Sequence, residues 1–406
     1  MNYDVIVVGG GLSGFVAAAK APQMGKRVLL LREGTGCFPF LSGCIDLWGC
    51  RGGEDPTTWI DRRVAADRLH PWGRLRDVLE DSISFLREAC APYVSYVASG
   101  GENIVVPTPL GVPRPTFMAP HSQYRPGWED ARKILVAGFR EYRDFSPALV
   151  AANLNRWRGR GEAATSVTTD LGISRYVDAP TLARLLEKER YWRLFVEQLA
   201  SRMGKSTLVL APAVFGMDSS AELLTRLGRV LGAPVMELAT LPPSVPGLRL
   251  QRALRRYVLA RGVRVTDNIR VTEAEVEGGI CRAVIADDGL RRRRFEGRSF
   301  VLATGSFVSG GFTGYGDHVT EPVMHLPVHG RGLVAGDEPF FATQGREFMK
   351  VGLLVDENLH PVDDKGRVLY NNVFVTGAKL AGQDHAVEKS GTGVAVASGY
   401  KAGLKS

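Results

Sequence analysis

Three histidines, His318, His325 and His329, cluster just ahead of Gly-Arg-Gly at 330–332. Imidazole is the side chain whose ordinary pKa suits a general base near neutral pH. Arginines stand where an anion could be gripped: Arg249 follows Pro-Pro-Ser-Val-Pro-Gly-Leu, Arg114 lies in a proline-rich stretch, and Arg331 follows the histidines. A guanidinium fork matches a carboxylate or phosphate bidentately. Arg249, His325 and His329 are therefore the candidate catalytic residues, with Arg114, Arg331 and His318 behind them. The competing role for Arg249 is a helix-start arginine held by a salt partner, and a lone histidine is more often structural.

The strongest chemical signal is a turn. Tyr3 to Gly14 reads YDVIVVGGGLSG, an apolar run that meets Gly9, Gly10, Gly11, then Leu12, Ser13 and Gly14. Gly9, Gly11 and Gly14 satisfy G-x-G-x-x-G, with a strand before and a helix after, the context of a dinucleotide phosphate cradle. The helix N-terminus then faces the anion. An acidic residue should close the second strand and take the ribose hydroxyls. Arg32 stands there instead, and Glu33 should point the other way along a regular strand. Either Arg32 favours a phosphate, or the adenosine end is held differently.

Two later stretches extend the pattern. VLATGS (301–306) ends an apolar strand in Ala303, Thr304 and Gly305. NVFVTGA (372–378) delivers Gly377 and Ala378, and SGTGVAVASG (390–399) starts a helix at Gly391, Thr392 and Gly393. That helix N-terminus would turn its amides on the electron-rich end of a flavin. In the two-dinucleotide-binding-domain flavoproteins that this pattern resembles, an acid usually follows the strand glycine, and Ala378 stands there instead. A nicotinamide enzyme needs the first motif but not the last two, so the order of motifs favours a flavoprotein.

These residues need a frame. Residues 3–34 read as strand, helix and strand, a βαβ unit. Residues 74–90 are helical, and 104–127 are rich in proline and must be loop or edge. STLVLAPAVFG is a strand followed by a helix, PPSVPGLRL looks like a hinge, and 269–298 reads as a β-meander. The Arg291–Arg294 run reads as a solvated strand. The expected architecture is an α/β, Rossmann-like flavoprotein fold of the two-dinucleotide-binding-domain type. Residues 1–50 and 245–406 form its flavin domain, and 51–244 are an inserted cap or substrate region. A chain of 406 residues suffices for this, and the net charge of +8 comes without a nucleic-acid motif. Five cysteines form no CxxC pair, which argues against an iron–sulfur cluster or structural zinc, and no metal site is expected. No apolar run is long enough to span a bilayer, so no direct membrane span is expected.

The sequence resembles the fumarate reductase/succinate dehydrogenase flavoprotein superfamily, and within it the family of B subunits of anaerobic glycerol-3-phosphate dehydrogenase. GGGLSG, FLSGCIDLWG (40–49), TPLGVPRPTF (108–117), LPPSVPGLRLQRAL (241–254), LATGSFVSGG (302–311), GAKLAG and SGTGVA carry the likeness, in order along nearly the whole chain. LPPSVPGLRL and LSGCIDL are its most specific parts. The resemblance implies a flavin, FMN for this type of subunit, whereas the phosphate cradle suits FAD. It implies a catalytic A subunit, an iron–sulfur C subunit, and a cytoplasmic assembly peripheral to the inner membrane. It implies oxidation of sn-glycerol 3-phosphate to dihydroxyacetone phosphate, with electrons passed to quinone and on to fumarate or nitrate. It also places Ser42 and Gly43 beneath the flavin. Two further readings stay open: a stand-alone flavin enzyme on another small hydroxy or unsaturated acid, and a scaffold or electron relay with a degraded flavin site.

Overall fold

The computed structural model describes residues 3–159, 161, 163–315, 318–330 and 345–406. The chain opens with β1 (Tyr3–Val8), α1 (Leu12–Lys20) and β2 (Val28–Leu31). Helices α2 (Pro56–Ala66) and α3 (Leu79–Cys90) follow. After two short strand pairs come β3 (Ile134–Phe139), α4 (Pro147–Arg158), β4 (Ala164–Thr169), α5 (Ala179–Leu186) and α6 (Glu189–Ala200). Next are β5 (Leu208–Pro212), α7 (Ser220–Leu231), β6 (Val235–Leu238) and α8 (Val245–Ala260). The chain then runs through β7 (Arg264–Thr266), β8 (Arg270–Glu277), β9 (Ile280–Asp287), β10 (Arg292–Leu302), β11 (Val373–Val375) and α9 (Gly391–Lys405).

Among the described residues the larger sheet has seven strands in the order β7-β2-β1-β10-β9-β8, with β11 also beside β10. Strands β1, β2, β7, β11 and the end of β10 are mutually parallel, and β8–β9–β10 form the antiparallel meander. Val5 to Val8 are all buried, as expected for a parallel strand covered on both faces. Helix α9 lies on α1 with almost no spacing: a Cβ on Gly399 would fall 2.3 Å from the Ser13 carbonyl oxygen, and one on Gly403 2.6 Å from that of Ala17. Small residues at these positions let the two backbones approach closely.

A second core belongs to the parallel sheet β6-β5-β3-β4 and its helices, running from Trp128 to Val245. This divides the segment expected as one cap. Helices α2 and α3 bury Ile60, Ile83, Phe85 and Leu86 in the first core, with Leu250, Leu254 and Tyr400. The buried face of α3 meets α8 and α9 and not the inserted sheet, so this stretch packs with the core of the larger sheet. PPSVPGLRL is likewise a helix start. Ser244 accepts from the Gly247 amide (3.4 Å), its own amide donates to Pro39, and Pro246 occupies the first turn. Two arginines of the basic run are paired across the meander, Arg292 with Glu273 and Arg294 with Glu275.

Candidate flavin site

The cradle is built where β1, β10 and β11 end side by side. At Gly9 φ is +115°, and an added Cβ would fall 2.2 Å from the Ala303 carbonyl oxygen. At Gly14 it would fall 2.0 Å from the Gly9 carbonyl oxygen. These two glycines hold the turn together. Gly11 differs: a Cβ there meets nothing within 4 Å among the described residues. Gly11 is also the N-cap of α1, with no side chain capping the first turn. The positive end of α1 therefore opens toward the face that a Gly11 side chain would fill, which suits a phosphate. Leu12 and Ser13 are buried, and Ser13 Oγ lies where a Gly377 side chain would be.

At the ends of the neighbouring strands, Ala303 donates its amide to Val8 and Thr376 donates to Leu302. The side-chain hydroxyls of Thr304 and Thr376 are buried with no hydrogen-bond partner among the described residues. Orphaned hydroxyls beside Gly305 and Gly377, at the carboxyl ends of parallel strands, mark the place where such sheets take a ligand. The open α1 terminus and these hydroxyls together fit a flavin. Ala378 borders a small adjoining pocket with Ser306, Phe307, Met349, Gln383 and His385.

A second polar cluster joins three distant segments. Arg114 donates to Asp46 Oδ1 (3.0 Å) and to Ser42 Oγ (3.0 Å), and Thr116 donates to the same carboxylate oxygen (2.5 Å). Gln123 donates to the Ser42 carbonyl, and Tyr96 to that of Gly43. The Asp46 amide donates to Thr392 Oγ1 (2.7 Å), while the Gly393 amide donates to the Asp46 carbonyl (3.0 Å). Of the α9 amides expected to face the cofactor, that of Gly393 is tied instead to the 42–46 loop, and Gly393 packs on Leu47 and Trp72. Gly391 packs on His385. Asp46, Thr116 and Gln123 escaped the sequence reading, although Asp46 sits inside the LSGCIDL motif.

The remaining nominated residues lie apart from this cluster. Arg249 is 7% exposed and Glu237 fully buried. Their side chains pair at 2.5 and 3.0 Å, and Arg249 also donates twice to the Gly216 carbonyl. Its guanidinium is fully engaged inside the protein, as a salt-partnered helix-start arginine. Arg32 lies across Gly10 and pairs with Asp267 (3.1 Å), while Glu33 points outward to Arg270. Burial, only partly offset by Asp267, holds the Arg32 pKa below its usual value. His325 and His318 are exposed, and His329 exchanges backbone hydrogen bonds with Gly352. Arg331 lies outside the described residues. No helix among the described residues is long and apolar enough to cross a membrane.

The FAD binding domain family matches residues 4–394. The chain is 30% identical to the B subunit of anaerobic glycerol-3-phosphate dehydrogenase from Vibrio cholerae, over 99% of this chain and 96% of that one. It is 30% identical to the probable B subunit of the same enzyme from Halobacterium salinarum, over 98% and 96%. Among solved structures, the open conformation of a flavocytochrome c3 fumarate reductase aligns over 99% of this chain and 77% of that one, with 11% identity and a TM-score of 0.46. The cofactor is a flavin, and the chain belongs to the FAD-binding flavoproteins and, within them, to the family of anaerobic glycerol-3-phosphate dehydrogenase B subunits.

Proposed function

We propose that this chain is the flavin-bearing redox component of an assembly that oxidises sn-glycerol 3-phosphate to dihydroxyacetone phosphate and passes the electrons to quinone. The observation that carries this reading is the likeness to named B subunits along essentially the whole chain. A catalytic A subunit and an iron–sulfur C subunit are its proposed partners, with the C subunit holding the assembly at the membrane. In the reaction the C2 hydrogen leaves with its electron pair, the hydroxyl proton goes to a base, and the C–O bond becomes a carbonyl. The flavin, when bound, supplies the two-electron acceptor. The α1 terminus and Gly11 would hold its phosphate, and Thr304, Gly305, Thr376 and Gly377 would line its place. Arg32 stands where an acid would grip an adenosine ribose, and its partner Asp267 is shared with Arg255 (2.7 Å). That favours FMN over FAD, and mass analysis of the extracted cofactor should return FMN; recovery of FAD alone would overturn the assignment.

One observation favours a narrower role, relaying electrons while the A subunit handles the substrate carbon. Both arginines nominated as clamps within the described residues are ion-paired, and two of the three candidate histidines are exposed. The test is reduction of the flavin-loaded chain by glycerol 3-phosphate, alone and with its A and C partners. Reduction only in the assembly supports the relay; reduction of the isolated chain places the chemistry here. Failure of the assembly to reduce a dye with glycerol 3-phosphate would defeat the proposed function. Arg114→Gln tests the 42–46 cluster. Losing the charge-assisted bonds to Asp46 and Ser42 should cut dye reduction by the assembly roughly 10- to 150-fold, in line with ~1.5–3 kcal/mol for such bonds. An unchanged rate would remove Arg114 from the site.

A further inference from the structure

Lys379 follows Gly377-Ala378 directly, and its side chain is fully buried. Its ammonium pairs with Glu321 Oε1 (3.2 Å), lies 4.5 Å from the centre of the Phe312 ring, and donates to the Gly311 carbonyl. Glu321 is equally buried, and its two oxygens accept from the amides of Val323 (3.2 Å) and Met324 (2.6 Å). The pair is therefore an oriented dipole. Its negative end is saturated by backbone amides, and its positive end meets Gly311. Gly311 in turn packs directly on Gly305: a Cβ there would fall 1.9 Å from the Gly305 carbonyl oxygen. One ammonium thus sits a single backbone layer behind the Thr304–Gly305 turn and two residues from Gly377. A charge in such a dry place acts at longer range than one in water.

We propose that Lys379, oriented by Glu321, is a positioning residue whose positive charge behind the Gly305 and Gly377 turns favours the reduced, negatively charged flavin over the oxidised one. This rests on the flavin reading of those turns. A buried pair of this kind adds little to stability compared with an apolar replacement, so its presence beside the site calls for another role.

The test is the midpoint potential of the flavin-loaded protein, read by its absorbance against reference dyes. Lys379→Met should weaken binding of reduced relative to oxidised flavin about tenfold, a fall of about 30 mV for a two-electron couple. Glu321→Gln unmasks the cation and should move the potential the other way. A merely structural pair would change flavin content in both variants and leave the potential in place or move it in one direction. If the single variants do not fold, Lys379→Met/Glu321→Met removes both charges together, and its potential should also fall.

The unaltered protein gives an independent reading. Burial, with partial compensation by Glu321, lowers the Lys379 pKa to about 8. Among the described residues, the titratable group beyond the pair is Tyr370, whose phenol pKa is raised by burial and by Cys281 and Glu321. Above pH ~8 reduction should draw one extra proton, so the potential should fall more steeply with pH, by about 30 mV per unit for one proton per two electrons. Potentials unchanged in the variants, or a wild-type line with no such break, would overturn the proposal. A purified chain that binds no flavin would instead overturn the flavin reading, and this inference with it.

Discussion

Gly11→Val should fold like the parent and bind flavin poorly, whereas Gly14→Val should not fold at all. The two glycines belong to one motif, yet their surroundings differ. Gly11 has an ordinary extended conformation and open space where its side chain would lie. A valine there meets no protein atom among the described residues and fills the face onto which the α1 amides open. At Gly14 the new carbon would overlap the Gly9 carbonyl at 2.0 Å, which neither strand nor helix can relieve without separating α1 from β1. The checks are melting temperature and flavin stoichiometry by absorbance. The expected pattern is a melting temperature near wild type in cofactor-free Gly11→Val, with at least a tenfold loss of flavin affinity, the order expected when a phosphate contact worth about 1.5–3 kcal/mol is removed. Wild-type flavin content in folded Gly11→Val would show that the cofactor does not use this turn.

Arg249→Met should destabilise the inserted domain by about 3–5 kcal/mol, the usual consequence of leaving a buried carboxylate without its partner. Glu237 is fully buried at the end of β6, and Arg249 reaches it from the second turn of α8. At roughly 3–6 °C per kcal/mol for a unit of this size, the melting temperature should fall by about 9–30 °C. Arg249→Met combined with Glu237→Leu should recover most of the loss, because an apolar pair of similar volume avoids the desolvation of both ions. A phosphate clamp would behave differently: melting would be unchanged, KM would rise, and the double variant would recover nothing. Thermal unfolding of the parent and both variants separates the two roles.

The parts of the fold that were legible in the sequence are those written in local spacing. The strand–helix–strand opening follows from buried β-branched and leucine positions leading into glycines, and the meander follows from alternation broken at Gly278-Gly279 and Gly289. What was not legible depends on contacts between distant segments. Nothing near Arg249 announces Glu237, and nothing near Arg32 announces Asp267, so the chain alone does not name the salt partner of either arginine. The amphipathic helices at 56–90 show that they need an apolar partner without showing which core provides it. The same limit applied to Lys379, which read as part of a motif until Glu321 was placed beside it. The 42–46 loop lay between: its position after β2 is evident in the chain order, while its tie to Arg114 and Thr392 is tertiary.

The close seating of α9 on α1 bears on how this protein is made. Ser13 and Ala17 leave the ribosome early, and their partners Gly399 and Gly403 are separated from them by most of the chain. At about 5–20 residues per second, synthesis of the intervening chain takes on the order of 20–80 s. Throughout that interval the flank of α1 that α9 covers is bare, and for most of it β10 and β11 are not yet in place beside β1. The nascent chain therefore carries a glycine turn that still lacks the Ala303 carbonyl on which it packs. Completion of this turn, and with it the loading of a cofactor, is then expected only once β10, β11 and α9 have joined β1 and α1.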